Sequence, residues 1–560
     1  GNVPEECLSC LFENYSHSSC SRDNFAVRPY GFRAFGTNQY KKAGEAFNIE
    51  IKAVDENDYN LTTGTISDVD GVRDYNVSVG DLNVSASFYV PTDEEVRQMY
   101  KDVFYQEPTD INAARAKVAY CPDSGVFTTD TSKNFENGDV NATFTYNESG
   151  ILTLKISEKA GYEFAKVDED DTPDAQRFIK PAEVLTDRED LNKTDLLVFI
   201  PYQFVTTGSV STTTGANWLY MSNEPLNAHN EYRLPLMAEK ISYVVKAEDK
   251  NGNVLKNYTA TCFPDVSINA PTRNGLKLNT TFDLFLDSTM RADRDVVAQF
   301  DVVANNTTLW LYKGEYNLTS SKVNAREWLS PLAFNEGVAN ADVYMNIGKK
   351  YNTPMTPVNI EVVDINTSTS WMNRPDGTNI FKGTAVNKSV EFRYGLVKIP
   401  DVTSTSNEAK VKATYLYFNN NETWVINSDH TSDVFGSISK DSTKFISVPK
   451  VNISSIGDVS NAAQIVVFTP AKGVAYSAKV HYPISPWLWY NPLAKDYKAP
   501  SPANLDCLTH PCNSVSFLGN GGGWAGVGKE SQKYSEQNKT IKAPATKAGG
   551  NVNEFNRVNW

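Results

Sequence analysis

Histidine is scarce in this chain. There are five in 560 residues, His17, His229, His430, His481 and His510, and no two lie within ten positions of each other. No H-x-x-x-H or H-x-H pair can therefore set two imidazoles on one face of a helix or strand, which excludes a zinc site of that kind. A G-x-S-x-G elbow is missing too, and His430 sits in the polar stretch Asn427-Ser428-Asp429-His430-Thr431, so no catalytic triad is nominated and no enzyme is expected. Basic charge is in deficit: 53 Lys plus Arg against 67 Asp plus Glu, a net charge of -14. That argues against nucleic acid as a partner, because phosphates need a basic face. Long apolar runs are absent as well. The longest, Leu196 to Ile200, is strand-sized, far from the roughly 20 residues that span a membrane as a helix. Gly1 opens no signal-peptide pattern, so an exported form is expected to have lost its leader.

Aromatic residues are plentiful: 28 Tyr, 27 Phe and 9 Trp, although the hydrophobic fraction is only 40%. A core of aromatic and β-branched side chains favours sheets. Phe47, Ile49, Ile51 and Ala53 alternate with Asn48, Glu50 and Lys52, and Ile241, Tyr243, Val245 and Ala247 repeat the pattern. At an offset of 194 residues, Lys52, Ala53, Asp55 and Asn57 match Lys246, Ala247, Asp249 and Asn251. This predicts one strand–turn–strand geometry used twice, in two separate sandwiches. Further strands are expected at Ile151–Ile156, Leu196–Phe204, Val296–Val303, Thr308–Tyr312, Val358–Val363, Val390–Val397, Lys410–Phe418 and Ala463–Phe468. Helix signals are few. Thr92-Asp93-Glu94-Glu95 is a capping box followed by Val96, Met99, Tyr100 and Val103 at helical spacing, and a second short helix is expected over Asp110 to Ala119.

The expected fold is all-β: immunoglobulin-like sandwiches in tandem, a small helical insertion near 92–120 in the first, and extended polar termini. The expected units are a cysteine-bearing arm at 1–25, β domains at 26–174, 175–275, 276–380 and 381–500, and a loop and Gly/Asn-rich tail at 501–560. Trp524, Phe555 and Trp560 are the tail's apolar anchors, suited to docking on a sheet edge of the same chain or another copy.

Seven cysteines occur. Cys7 and Cys10 form a C-x-x-C followed by Leu11, which excludes haem attachment, and no second C-x-x-C completes a zinc ribbon. Structural disulfides are expected instead: a local one between Cys507 and Cys512, and one between Cys121 and Cys262 that depends on geometry. The compartment signal is stronger in asparagine. Of 17 N-x-S/T sequons, eight carry Asp or Glu two places earlier: Asn60, Asn76, Asn83, Asn141, Asn192, Asn317, Asn366 and Asn538. With 67 acidic residues in 560, about two would fall there by chance. The extended pattern resembles the acceptor of the bacterial oligosaccharyltransferase that works in the periplasm, and these eight are expected to be modified in preference to the other nine.

Two acidic runs carry calcium-type chemistry, Asp68 to Asp74 and, more densely, Asp168, Asp170, Asp171 and Asp174. Calcium is the one cofactor the chain suggests. Gly521, Gly523 and Gly526 spell G-x-G-x-x-G, but no amphipathic helix follows to offer its N-terminus to a phosphate.

Cys20-Ser21-Arg22-Asp23-Asn24-Phe25-Ala26-Val27-Arg28-Pro29 resembles the opening segment of the MshQ-like family of surface proteins, associated with MSHA-type type IV pilus biogenesis. Further similar segments follow in order: Gly161 to Asp168, Phe392 to Val397, Tyr415 with Trp424 to Asp429, Pro486 to Tyr490 and Arg557 to Trp560. The resemblance implies a non-enzymatic adhesin or structural component, exported through the periplasm to the cell surface and tied to a pilus or filament. Expected partners are other copies or pilus components, and host or surface glycans. Two alternatives stand beside it: a self-assembling filament or surface-layer subunit joined through its terminal segments, and a calcium-dependent glycan-binding module.

Overall fold

Period-two alternation becomes buried and open faces directly. Along the strand Glu239–Glu248 every second side chain is buried and the intervening ones are half-buried. In Phe47–Val54 the apolar Phe47, Ile49 and Ile51 point inward and Asn48 is exposed. The computed structural model describes residues 28–518 apart from 37–38, 105, 161–177, 186–195, 223–235, 260, 264–277, 287–296, 305–312, 318–321, 330–333, 370–379, 474 and 495. The expected anchors Trp524, Phe555 and Trp560 and the strand Thr308–Tyr312 lie outside the described residues.

Among the described residues the strands pair into three successive sandwiches. The first runs from Gly31–Gly36 to Leu197–Ile200, nine strands in which Ala182–Leu185 joins the two faces by pairing with both Gly31–Gly36 and Gly150–Glu158. The second runs from Gln203–Thr212 to Thr384–Arg393 as a six-stranded sheet on a five-stranded one. The third runs from Gly395–Lys398 to Cys512–Phe517, five strands on four. Phe32, Phe47, Phe135, Phe144, Tyr146 and Phe199 fill the first core. The second and third share one continuous apolar cluster.

One plan recurs in all three. The opening strand pairs antiparallel with the third: Gly31–Gly36 with Phe47–Val54, Gln203–Thr212 with Glu239–Glu248, Gly395–Lys398 with Ala409–Phe418. The second strand runs parallel to a closing strand: Tyr40–Lys42 to Leu197–Ile200, Trp218–Tyr220 to Thr384–Arg393, Val402–Ser404 to Cys512–Phe517. The edge is thus shared between both sheets, and fewer backbone groups are left to pair with other chains. A tight turn recurs too. Asn137-Gly138, Glu336-Gly337 and Asn461-Ala462 all have positive φ at both central positions. Their flanking residues exchange both backbone hydrogen bonds, the type I′ arrangement that suits hairpin twist. The carbonyls of Gly138, Gly337 and Ala462 then accept from the N–H of Ala53, Ala247 and Tyr415, each at 2.8 Å.

The pairing draws different boundaries from those expected. Two segments that read as single strands, Leu196–Phe204 and Val390–Val397, contain the junctions between sandwiches. The first breaks at Pro201-Tyr202, where proline offers no N–H to a ladder, and the second at Tyr394. Ala182–Leu185 and Leu197–Ile200 belong to the first sandwich, so its end is not at 174. Strands on both sides of 275 pair within one sandwich, as Glu239–Glu248 does with Val338–Ile347, so 175–275 and 276–380 are one unit. Cys512–Phe517, assigned to the tail, is a strand of the third sandwich.

The repeat at offset 194 is half right. Lys52 and Lys246 occupy corresponding strands, but the turns after them differ. Asp55 accepts from the Asp58 N–H and caps the short helix Glu56–Tyr59. Asp249 accepts from the N–H groups of Asn251 and Asn253 and closes a hairpin-like turn. The true partner of Asp249 is Asn419, whose side-chain oxygen accepts from Asn421 and Thr423 in the same way.

The helical insertion forms as expected. Glu95 accepts from the Thr92 N–H at 2.6 Å and returns its own N–H to the Thr92 hydroxyl, capping Asp93–Phe104. Asp110 caps Ile111–Val118. Val96, Met99, Tyr100, Ala114 and Val118 are buried against Tyr40, Ile151, Val198 and Ile200 of the first sandwich and against Cys262 and Phe263 of the second.

Candidate functional site

Buried polar groups gather at the two junctions between sandwiches, Glu148 and Asn257 at the first and Lys349, Asn427 and His430 at the second. At the first, the linker is Pro201-Tyr202, and the Tyr202 N–H donates to the Glu248 carbonyl at 3.0 Å. The loop at Ala43-Gly44 reaches across: Gly44 N–H donates to Tyr146 within its own sandwich, and the Ala43 carbonyl accepts from Lys250 in the next, at 3.0 Å. Gly44 has φ 74°, and a Cβ there would come within 2.9 Å of the Lys250 nitrogen, so the close approach needs glycine.

Glu148 is the pivot of this junction. It is 5% exposed, and its carboxylate accepts from the N–H groups of Ser149, Lys256 and Asn257. Burial nevertheless outweighs these three donors and raises its pKa. Asn257 completes the join by accepting from the Asp123 N–H at 2.8 Å and donating to the Asp123 carbonyl at 2.6 Å. The insertion is then tied covalently to the second sandwich: Cys121 and Cys262 are bonded, beside paired backbone at Tyr120–Thr261 and Val118–Phe263.

The second junction is built of a guanidinium, a buried lysine amine and rings. Its linker is the single residue Tyr394, fully buried, with its hydroxyl donating to the Lys350 carbonyl. Arg393, the last residue of the second sandwich, bonds Asn427 at 2.7 Å and Asp429 at 2.6 Å in the third, and its guanidinium lies 4.7 Å from the Trp218 ring and 4.8 Å from Tyr417. Lys349 is buried over the Tyr394 ring and donates to the carbonyls of Gly395 and Trp487. Burial drives its pKa well below the ordinary lysine value.

His430 sits at the centre of this junction with no exposed surface. Its Nε2 donates to the Gly436 carbonyl at 2.9 Å, so its Nδ1 is left to accept from the Tyr220 hydroxyl at 3.0 Å. Tyr220 in turn accepts from Asn427 at 2.7 Å. The imidazole stacks on Tyr415, and Trp218 stacks on Phe435 beside it. Burial lowers the His430 pKa to about 4, so the ring is neutral near pH 7. Both junctions are crossed by hydrogen bonds between neighbouring sandwiches, and the first also by a disulfide.

Other expected site residues fall as follows. Asn60, Asn76, Asn83 and Asn141 are exposed on the first sandwich, with Asn83 and Asn141 on its strands. Asn317 ends the strand Lys313–Asn317 and Asn366 lies in Val358–Thr369. Asn192, Asn538, Asp168, Asp170, Asp171 and Asp174 lie outside the described residues. Cys507 and Cys512 are bonded to each other. None of Glu148, Lys349, Arg393 and His430 is expected from the sequence as a junction residue, since nothing local marks a polar or charged residue as destined for a junction. A signal for the sandwich spacing did exist: Phe135-x-x-Gly138-x-x-Asn141-Ala142 recurs as Phe334-x-x-Gly337-x-x-Asn340-Ala341.

No family model and no curated protein matches this chain. Among solved structures, it is similar to the Escherichia coli adhesin FdeC at 9% identity and a TM-score of 0.29, over 84% of this chain and 98% of that one. It is similar to invasin, a bacterial integrin-binding protein, at 9% identity and 0.18, over 87% and 60%. The Yersinia pseudotuberculosis adhesin InvE gives 9% and 0.23, over 68% and 66%. TM-scores this low carry no inference about function, and the sandwich assignment rests on the strand pairing itself.

Proposed function

We propose that this chain is a non-enzymatic component of a cell surface, an adhesin or structural element, whose three sandwiches act as one stiff spacer. The observation that carries the reading is the construction of the junctions. Linkers of two residues and one residue leave no slack, and each join is filled with buried hydrogen-bonded groups. A flexible string of domains would be expected to use exposed linkers rich in Pro, Gly and polar residues. The Cys121–Cys262 and Cys507–Cys512 bonds suit an oxidising compartment, which supports export. The exposure of Asn60, Asn76, Asn83 and Asn141 suits their use as glycan acceptors.

Association with a pilus or filament is the finer part of the proposal and rests on the family resemblance in the sequence. Small-angle scattering of the purified chain tests the spacer: one elongated rigid particle is expected, and a distribution of bent forms would overturn it. Surface attachment is tested by comparing adhesion of cells with and without the protein. Loss of adhesion only in piliated cells would support the pilus link. Equal adhesion in all strains would remove it.

A further inference from the structure

Beside the Cys507–Cys512 disulfide lie two buried histidines, His481 at the end of the strand Tyr476–His481 and His510 in the loop that precedes Cys512–Phe517. His481 faces Cys512 directly across the strand pair. A ring nitrogen of His481 and the sulfurs of Cys507 and Cys512 all lie within 4.8 Å of one another. His510, between the two cysteines in sequence, has no exposed surface, and His481 is 2% exposed.

The hydrogen bonds set the tautomers in sequence. His510 Nδ1 lies 3.1 Å from both the Lys498 carbonyl and the Thr509 hydroxyl; that hydroxyl gives its proton to the Asp506 carbonyl at 2.9 Å and the Lys498 carbonyl can only accept, so Nδ1 carries the proton. His510 Nε2 is then bare and accepts. Its partner at 2.8 Å is His481 Nδ1, which must therefore be the protonated nitrogen of that ring. His481 is left with Nε2 as an unprotonated lone pair. A metal-binding imidazole needs this arrangement: one nitrogen free for the cation and the other donating to a partner that fixes the ring. The two cysteines are half-buried, so the cluster is reachable from solvent.

We propose that the reduced protein binds a zinc-class divalent cation through the thiolates of Cys507 and Cys512 and Nε2 of His481, and that the disulfide is the closed form of this site. Opening it takes a dithiol reductant. Two electrons and two protons pass to the protein disulfide, giving two thiols, and the dithiol becomes a disulfide. The cation then displaces one proton from each thiol. Tetrahedral ligation at a Zn–S distance of about 2.3 Å sets the sulfurs about 3.8 Å apart, a separation that side-chain rotation about Cβ can supply. Two thiolates and one imidazole leave a fourth position for water. His510 is a positioning residue that holds His481 in the binding tautomer.

The test uses the full chain carrying Cys7→Ser, Cys10→Ser and Cys20→Ser, so that the other C-x-x-C contributes nothing. Bound zinc is counted by native mass spectrometry before and after anaerobic dithiothreitol, and cobalt(II) serves as a spectroscopic probe of thiolate ligation. One zinc per chain is expected after reduction and none before. Adding Cys507→Ser and Cys512→Ser should abolish both the zinc and the cobalt–thiolate absorption. His510→Ala should weaken binding 10–100-fold without changing stoichiometry. Circular dichroism checks that each variant is folded, and Cys507→Ser alone stands in if the double variant is not. Equal zinc in the reduced parent and the folded cysteine variant would overturn the proposal, as would a reduced, folded parent that binds none.

Discussion

The two junctions solve one mechanical problem with opposite chemistry. The first is held by a buried carboxyl group and a covalent bond: Glu148 collects three backbone N–H groups, and Cys121–Cys262 ties the helical insertion to the next sandwich. The second has no covalent tie among the described residues and relies on Arg393, Lys349 and the neutral ring of His430 set among aromatics. The difference teaches that a short linker does not itself hold two sandwiches together. The groups buried beside it do, and their chemistry decides which conditions loosen each join.

The largest expected effect is on the first junction alone. The disulfide closes a loop across a sequence separation of 141, for which chain entropy gives about 5 kcal/mol of stabilisation. Cys121→Ser with Cys262→Ser should therefore lower the unfolding transition of the first sandwich and leave the later one in place. A single calorimetric transition that does not move would erase the contrast between the junctions.

Acid should act on the second junction. The His430 pKa is lowered from 6.5 to about 4, so between those values the unfolded chain binds more protons than the folded one. Stability from the neutral ring is complete above pH 6.5 and is lost as pH falls through about 4, to a limit of about 3 kcal/mol. Denaturant titrations from pH 7 to 4 should show this slope in the parent and a flatter one in His430→Gln. Parallel slopes would show that His430 is not the group responsible.

Glu148 should respond with the reverse sign. Its folded pKa is raised, so its contribution is fully present below the ordinary value of 4.5 and declines as pH rises through the folded value. Glu148→Gln removes that dependence. It should also cost roughly 2 kcal/mol, because an amide NH2 then faces one of the three N–H donors. Urea unfolding of parent and variant at pH 5 and pH 8 measures both, and a constant difference between them would refute the titration. The smallest effect belongs to Tyr220→Phe, which removes the hydroxyl between Asn427 and His430 and should lower stability by about 1 kcal/mol. A loss as large as that from the cysteine pair would mean that Tyr220 anchors the junction rather than adjusts it.

Period-two runs were legible because alternation of apolar and polar side chains is a property of the strand alone, as Phe47–Val54 and Glu239–Glu248 show. The insertion helix was legible for a similar reason: Thr92 and Glu95 satisfy each other within one turn. The junctions were not. Leu196–Phe204 and Val390–Val397 look like continuous strands because each half has strand chemistry, and only pairing with distant partners assigns the halves to different sandwiches. His430 looked like part of a solvated turn because its neighbours are Asp429 and Thr431, while the groups that bury it, Tyr220, Tyr415 and Phe435, are mostly remote in sequence.

By itself, the sequence determined the all-β class, the helical insertion, and which cysteines stood ready to pair. These follow from local spacing, since period, capping and turn chemistry act over a few residues. The tertiary structure alone decided that the strands make three sandwiches, where the two joins fall, and that Glu148, Lys349 and His430 are interior groups. Burial depends on what chain folds back from a hundred or more residues away, as Lys256 and Asn257 do onto Glu148 and Trp487 does onto Lys349.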